Sequence, residues 1–329
     1  MKMLDVAIVG VTGLVGQTFL KVLKENNFPI NKLYLYASKK SEGKIIEYNN
    51  VQYSIKELKE DNIERCDIVF MSVGEELSKR FAPLFEQKGA IVIDNSNAWR
   101  MNKDCALIVP EININSLDNK RKIIANPNCS TIQCVIPLFA ISKKYQIEEI
   151  RYITYQAVSG SGMKGIEDLK RARNNQSMNF YHFDIGKNCI PQIGDFIDED
   201  YTKEEIKMIN ETRKILNMPH LKISSTCVRV PIERCHLVLV QVKLSDYYSM
   251  EEIYSLLSTQ EGIIIKDKFP VSVDALGQDK VYVGRLRKDL IDDKSLYFMC
   301  VADNIRKGAA SNAVQIAIKL LENNNKNLC

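Results

Sequence analysis

The sequence contains few histidines, no closely spaced cysteine pair and no long run of apolar residues. Its 329 residues include three histidines and nine cysteines, and no two cysteines form a C-x-x-C pair. Scattered cysteines, odd in number, argue against a disulfide framework or a thiolate zinc site, so we expect free thiols and no bound metal. No stretch is apolar for long enough to cross a bilayer. The chain runs from Met1 into an apolar strand without a signal-peptide cleavage site, so we expect a cytoplasmic protein without a membrane partner.

Neither sign of charge dominates the sequence. The 45 basic and 41 acidic residues give a formal net charge of +4, and they are spread along the chain without a long run of either sign. Such a balance gives no case for a nucleic-acid partner, although a local cluster could hold a small anionic substrate. With 45% hydrophobic and 26% charged residues, the composition is that of a globular protein. The length allows about two domains.

A glycine-rich turn follows the first predicted strand. Residues 6–9 form a β-type apolar run, Gly10, Gly13 and Gly16 follow, and a helical pattern begins at Thr18. Such a turn lets the backbone approach a pyrophosphate while the helix start offers its N–H groups. The glycines could instead serve only tight turns. Their place at the first strand–helix junction favours a dinucleotide site.

The end of the second predicted strand bears on the choice of cofactor. NAD-binding domains usually place a carboxylate there for the ribose hydroxyls, whereas this sequence has Ser38, Lys39, Lys40 and Ser41. Cations and hydroxyls suit a 2′-phosphate, so the sequence predicts NADP. A solvated basic turn with no role in cofactor binding is the alternative.

The pattern of elements predicts two domains of different architecture. In residues 1–128, apolar strands alternate with helix-length segments, which predicts a parallel sheet in an α/β, Rossmann-like dinucleotide-binding domain. Residues 129–308 carry longer β-type segments and predict a mixed sheet in an α+β catalytic and dimerisation domain. The segment from Gly308 to Leu321 has a helical apolar face, and we expect residues 309–329 to pack back on the first domain.

Cys129 is a candidate nucleophile. It follows Pro127 and Asn128 and precedes a helical pattern over residues 132–141, so it lies near a helix start. The partial positive charge of that end would stabilise a thiolate and lower the thiol pKa. Backbone N–H groups near the same end could stabilise an oxyanion. Most cysteines are buried hydrophobes, however, so the case depends on partner residues elsewhere.

Two polar residues are candidate partners of that thiol. His236 lies at a turn between β-type segments, seven residues after Arg229. A histidine there could be an acid or base, or equally a structural residue. Gln156, in the segment Thr154–Gly160, could position a carbonyl or a water, or simply bond to its neighbours.

Taken together, these motifs resemble the aspartate-semialdehyde dehydrogenase family, and the resemblance spans nearly the whole chain. The segments that carry it are Gly10–Gly16, Asn126–Thr131, Thr154–Gly160, Asn210–Ile215, Cys227–Pro231 and Asp303–Ala309. The resemblance implies a catalytic domain of the glyceraldehyde-3-phosphate dehydrogenase type. It also implies NADPH-dependent reductive dephosphorylation of 4-phospho-L-aspartate to aspartate 4-semialdehyde, toward lysine, threonine and methionine, by a homodimer or a dimer of dimers.

The resemblance also implies roles for individual residues. Cys129 would form a thioacyl enzyme, His236 would be the acid/base and Gln156 would orient the reacting carbonyl. Arg229 would grip the substrate α-carboxylate as a bidentate pair, and Glu211 would receive its ammonium group. The other implied substrate residues are Arg100, Asn128 and Lys214. The implied cofactor residues are Gly10, Thr12, Gly13, Leu14, Val15, Gly16, Ser38, Lys40, Ser41, Gly74, Ser159, Gly160 and Gln315.

Other interpretations remain for several of these residues. Glu211 and Lys214, three apart on a predicted helix, could pair with each other, and Arg100 could stack on Trp99. An N-acetyl-γ-glutamyl-phosphate reductase would resemble this fold, but its acylated substrate has no ammonium group for Glu211. A relative that binds cofactor without catalysis is a further alternative. Where the family commonly has glycine, this chain has Cys235, which predicts a turn conformation open to a residue with a Cβ.

Overall fold

The structure is a computed structural model that describes residues 3–117 and 121–326. The chain forms two compact units, one of Met1–Pro127 with Ala309–Cys329 and the other of Asn128–Gly308. Residues 327–329, the last three of the predicted C-terminal segment, lie outside the described residues. No helix in the described ranges is both long and apolar enough to span a membrane.

The first unit is built on a twisted sheet of seven described strands in the order β3-β4-β2-β1-β5-β6-β7. All neighbouring strands are parallel except β3 and β4, which form an antiparallel hairpin. The strands are β1 (Leu4–Val9), β2 (Ile30–Ala37), β3 (Ile45–Tyr48), β4 (Val51–Glu57), β5 (Ile68–Met71), β6 (Ile91–Asp94) and β7 (Ile123–Ala125). The predicted α/β fold class is confirmed for this unit.

Helices cover the sheet of the first unit. They are α1 (Leu14–Glu25), α2 (Glu75–Gln87), α3 (Pro110–Asn113) and a last helix, here α9 (Ser311–Lys326). Helix α1 begins at Leu14, four residues before the predicted start, because the glycine turn leads straight into its first turn. Apolar residues of α9, among them Val314 and Ala317, are buried in the same core as Phe19 of α1 and Ile8 of β1.

The second unit contains a mixed sheet of six described strands in the order β11-β12-β13-β10-β8-β9. Its strands are β8 (Ile147–Gln156), β9 (Lys222–Arg229), β10 (His236–Leu244), β11 (Ile263–Ile265), β12 (Val281–Lys288) and β13 (Ser295–Ala302). Strands β8 and β9 are parallel, and β10 lies antiparallel between β8 and β13. The predicted mixed sheet is therefore present.

Register brings the polar residues of this sheet to one end. Gln156 at the end of β8 pairs with Arg229 at the end of the parallel strand β9. The antiparallel strand β10 pairs Leu237 with Tyr155, so it begins, with His236, at that same end. Three residues that are far apart in sequence thus meet because two strands end where a third begins.

The second unit also contains five described α-helices. They are α4 (Cys129–Ser142), α5 (Met163–Arg173), α6 (Lys203–Leu216), α7 (Met250–Thr259) and α8 (Ser272–Ala275). Helix α4 is buried on nearly every side. Along β8, buried and exposed side chains alternate, and the face away from the buried one exposes Ile153 and Tyr155.

Candidate active site

A cavity of about 450 Å³ opens at the carboxyl ends of the parallel strands in the first unit. Among the predicted cofactor residues, its lining includes Gly10, Thr12, Gly13, Ser38 and Gly74. Gly13 and Gly74 are the N-caps of α1 and α2, and no side chain caps either helix. Two helix starts therefore offer backbone N–H groups to one cavity, which suits an anionic ligand.

Two glycines of the turn are required by close approach of the backbone. Gly10 has φ +85°, and a Cβ there would lie 2.2 Å from the Ser72 carbonyl oxygen. A Cβ at Gly16 would lie 2.2 Å from the Gly10 carbonyl oxygen. Any side chain at either position would push strand and helix apart. Leu14, Val15 and Gly16 belong to α1, and Gln315 is half-buried on α9 of the same unit.

The basic turn after β2 is a short 3-10 helix, Lys39–Ser41. Ser38 and Lys39 line the cavity, Ser41 is buried and Lys40 is exposed. Of the two lysines of this turn, Lys39 lines the cavity and Lys40 does not, although the residue set implied by the resemblance contains only Lys40. Glu57 also lines the cavity, and its carboxylate pairs with Lys59.

Arg100 lies in the loop after β6 of the first unit and is buried. Its Nε donates to the Asn126 carbonyl at 3.0 Å and its Nη2 to the Asn95 carbonyl at 2.8 Å. The neighbouring Trp99 donates through Nε1 to Ser78 Oγ at 2.9 Å. The guanidinium of Arg121 lies 5.0 Å from the Trp99 ring centre.

In the second unit, Cys129 is the first residue of α4 and Asn128 is its N-cap. The Asn128 Oδ1 accepts from the backbone N–H groups of Ser130 and Thr131 at 2.9 and 3.2 Å. Cys129 is half-buried. The N–H groups of Ser130 and Thr131 are thus occupied by the cap, and our suggestion that the helix start holds an oxyanion is wrong for these two donors.

The backbone of Gly308 packs directly against the nucleophile candidate. A Cβ on Gly308 would lie 2.8 Å from the Cβ of Cys129 and 3.2 Å from its Cα. Real Cβ atoms essentially never approach so closely, so Cys129 can occupy this position only because residue 308 is a glycine.

Two carboxylates from α6 hold Asn128 on the side away from the cap. Glu211 Oε2 accepts from the backbone N–H of Asn128 at 2.6 Å. Glu204 Oε1 accepts from Asn128 Nδ2 at 2.8 Å and from Gln156 Nε2 at 3.3 Å. Lys214, one turn after Glu211 on the same helix, is half-buried. The predicted residues Asn128, Gln156 and Glu211 are therefore joined in one network, through Glu204, which sequence reasoning missed.

The backbone of Ala157 joins His236 to Arg229. Its N–H donates to His236 Nδ1 at 2.9 Å, and its carbonyl accepts from Arg229 Nη1 at 2.7 Å. Ser159 and Gly160 follow in a 3-10 turn. A Cβ on Gly160 would lie 2.8 Å from Arg229 Nη1 and 3.4 Å from His236 Nε2, so this glycine gives both side chains their space.

His236 is fully buried, and its hydrogen bond fixes its tautomer. Because Nδ1 accepts from a backbone N–H, the neutral ring must carry its proton on Nε2. That Nε2 atom has no hydrogen-bond partner in the described structure. Burial, and then the positive charge of Arg229, hold the pKa of His236 well below its ordinary value of 6.5. In this form the ring presents an N–H donor and no basic nitrogen.

The turn before His236 contradicts the conformation that we predicted for it. Cys235 has φ +73°, in the left-handed region that favours glycine. Its backbone N–H donates to Asn304 Oδ1 at 3.0 Å, and its side chain is buried against Ala275 and Val301. The glycine-type turn is therefore kept with cysteine in it, because packing and a hydrogen bond hold the residue in place.

A buried amide ties the nucleophile helix to the histidine strand. Gln133, one turn after Cys129 on α4, donates through Nε2 to the carbonyls of His236 and Cys300, each at 3.1 Å. Across the described ranges, no group of three or more His, Cys, Asp or Glu side chains is placed to hold a metal ion.

Comparison with known proteins gives consistent matches over the chain. Residues 5–120 match the family model "Semialdehyde dehydrogenase, NAD binding domain", and residues 135–307 match "Semialdehyde dehydrogenase, dimerisation domain". The aspartate-semialdehyde dehydrogenase of Aquifex aeolicus is 46% identical over 96% of this chain and 98% of its own. That of Bacillus subtilis is 40% identical over 96% and 97%. A crystal structure of aspartate semialdehyde dehydrogenase II from Vibrio cholerae, complexed with ASA, has a TM-score of 0.94 at 40% identity, over 98% of this chain and 99% of that one.

Proposed function

Because this chain belongs to the aspartate-semialdehyde dehydrogenase family, we propose that it reduces 4-phospho-L-aspartate to L-aspartate 4-semialdehyde and phosphate with NADPH. One observation carries the proposal. In the second unit, hydrogen bonds link Asn128, the residue before Cys129, directly to Glu211 and through Glu204 to Gln156. The backbone of Ala157, next to Gln156, links Arg229 to His236. A thiol, an acid and two opposite charges for an amino-acid substrate thus belong to one network.

The cavity of the first unit suits the proposed cofactor. The absence of side chains at Gly13 and Gly74 leaves two helix starts accessible to phosphate groups, and Ser38 and Lys39 line the edge where a 2′-phosphate would be bound. NADPH, when bound, supplies the hydride. Lys40, Ser41 and Gln315 belong to the proposed cofactor set with the glycine turn, as do Ser159 and Gly160 of the second unit.

The chemistry proceeds on Cys129. Its thiolate attacks the acyl carbon of the substrate and expels phosphate, which leaves a thioester. Reduction of that carbon gives a hemithioacetal, whose collapse releases the aldehyde and restores the thiolate. The cap of α4 occupies the N–H groups of Ser130 and Thr131, so the oxyanion of these steps needs other donors. The Gln156 amide and the Nε2–H of His236 suit this role.

Charged residues select the substrate in this proposal. Arg229 is buried and fixed by the Ala157 carbonyl, so its guanidinium is pre-oriented for a carboxylate. Glu211 and Lys214 on α6, with Arg100, complete the proposed substrate-anchoring set. Glu211 would receive the α-ammonium group, which an N-acetylated substrate lacks.

The reaction can be tested in the reverse direction. Purified protein is mixed with aspartate semialdehyde, phosphate and NADP, and NADPH formation is followed by its absorbance, in parallel with NAD. N-acetyl-glutamate semialdehyde replaces the substrate in a second series. We expect turnover with aspartate semialdehyde and NADP. No turnover of aspartate semialdehyde with either cofactor would refute the proposal, and preference for the acetylated substrate would favour the related reductase.

We also propose that two copies pair through the exposed face of the mixed sheet. Ile153 and Tyr155 are 40% and 39% exposed there, and they lie opposite the half-buried Leu239 and Leu237 of β10. The match of residues 135–307 to a dimerisation domain supports this pairing, and the mass from light scattering distinguishes a dimer from a dimer of dimers. Changing Tyr155→Arg should give monomers, whereas an unchanged mass would contradict the use of this face.

A cytoplasmic location also belongs to the proposal, since the eight described cysteines are free thiols.

A further inference from the structure

Glu204 is a buried carboxylate that helix α6 does not need for its own formation. It is 7% exposed, in the first turn of α6. The capping box of that turn is made by its neighbours: Glu205 N–H donates to Thr202 Oγ1, and Thr202 N–H donates to Glu205 Oε2. The other oxygen of Glu205 accepts from Cys227 N–H. Glu205 therefore has the structural role, and the burial of a second carboxylate beside it needs another reason.

The contacts of Glu204 point to the nucleophile. One oxygen, Oε1, accepts from the side-chain amides of Asn128 and Gln156 at 2.8 and 3.3 Å. The other, Oε2, lies 3.3 Å from Lys207 Nζ. Burying a carboxylate costs several kcal/mol, and replacing a whole buried ion pair by apolar residues of similar volume is often neutral or stabilising. Its retention here is explained by what it does to the two amides.

A carboxylate oxygen only accepts, so it fixes which way both amides point. Asn128 must turn its NH₂ group toward Glu204, and its Oδ1 then faces the N–H groups of Ser130 and Thr131 that it caps. The reverse orientation would set oxygen against oxygen and donor against donor. Gln156 likewise turns its NH₂ group toward Glu204, which determines the direction of its Oε1.

We infer that Glu204 is a positioning residue, which orients Asn128 beside Cys129 and Gln156 at the end of β8 for the reaction. The inference rests on the proposed function for its turnover assay. A glutamine at 204 has the same shape but one donor and one acceptor. In either orientation, the NH₂ group of this glutamine would face other donors, which are the two amides on one side and Lys207 on the other.

The test compares E204Q with E205Q as a matched structural control and with the double variant E204Q/K207M. We expect E204Q to lower kcat by about 10- to 100-fold, the scale of a misplacement near 1 Å, while KM for aspartate semialdehyde changes little. E204Q/K207M should recover part of kcat, because the glutamine can then turn its oxygen to the amides. E205Q should lower the thermal midpoint and leave kcat within about two-fold. An E204Q enzyme with normal kcat, or one whose loss lies in KM, would overturn the inference.

A second readout does not depend on the substrate. In a background with Cys189 and Cys329 changed to serine, the rate of Cys129 alkylation by iodoacetamide is measured for E204Q, N128A and the double variant. If Glu204 acts through Asn128, E204Q shifts the rate in the same direction as N128A, and the double variant matches N128A within about two-fold, since coupled residues are not additive. An unchanged rate in E204Q, or effects that multiply, would overturn the inference even if the wild type turned out to use another substrate.

Discussion

The left-handed backbone of Cys235 reverses the usual effect of replacing alanine by glycine on the free energy of unfolding. Replacing an alanine by glycine normally destabilises a folded protein by about 0.5–1 kcal/mol, because glycine loses more backbone entropy. At φ +73°, a residue with a Cβ carries strain of about 1–3 kcal/mol. Glycine removes that strain. We therefore expect C235G to be at least as stable as C235A, and more stable by about 1 kcal/mol where the strain is in the middle of that range.

Both variants are needed because each loses packing that the wild type has. Cys235 is 1% exposed, and its side chain packs against Ala275 and Val301. Loss of its sulfur alone should cost about 1 kcal/mol, so C235A is expected to be the least stable of the three proteins.

Thermal unfolding followed by circular dichroism measures the order. A difference of about 1 kcal/mol moves the midpoint by roughly 2–4 °C in a unit of this size. If C235A proved more stable than C235G by the usual margin, the turn before His236 would not have the left-handed conformation, and our account of it would be refuted.

Three further predictions concern the site. H236N keeps an acceptor for the Ala157 N–H but removes the Nε2 donor, so kcat should fall by about two to three decades with KM nearly unchanged. A near-normal kcat would remove His236 from the reaction. Because the folded-state pKa of His236 is depressed, the unfolded state binds a proton that the folded state does not. The free energy of unfolding should therefore fall as pH drops below about 6.5, by up to about 1.4 kcal/mol per pH unit. H236N should lack this contribution to the pH dependence of the thermal midpoint between pH 5 and 7. G308A places a Cβ 2.8 Å from that of Cys129, so it should lower kcat by about 10- to 100-fold, and unaltered turnover would contradict the packing.

The fold was largely predictable because its main elements have strong apolar patterns. The strand before Gly10 and the helix after Cys129 were identified from the apolar patterns of residues 6–9 and 132–141, which lie within β1 and α4. The hairpin of β3 and β4 was not predicted. Its strands lie at the edge of the sheet and are largely exposed, so they lack a clear alternation. The available signal was the turn of Asn49 and Asn50, both of which have positive φ.

The site was predictable only where a side chain carries a recognisable chemistry. Cys129, His236 and Arg229 could be selected because thiol, imidazole and guanidinium groups suggest roles. Glu204 could not, since nothing in a run of charged helix residues distinguishes a carboxylate that is buried against an amide from one in solvent. Gly308 and Ala157 act through their backbones, and a backbone contact with a residue distant in sequence leaves no residue-type signal.

The backbone of Ala157 helps to explain how a histidine stays neutral beside an arginine. Arg229 donates to the Ala157 carbonyl, and the Ala157 N–H donates to His236 Nδ1, so the backbone of one residue fixes both side chains. A second proton on His236 would have to displace that N–H from Nδ1, in a buried site that already contains a cation. Both effects keep the single ring proton on Nε2. In this arrangement His236 offers a hydrogen-bond donor at Nε2, and a role as the base that deprotonates Cys129 would require the bond at Nδ1 to break first.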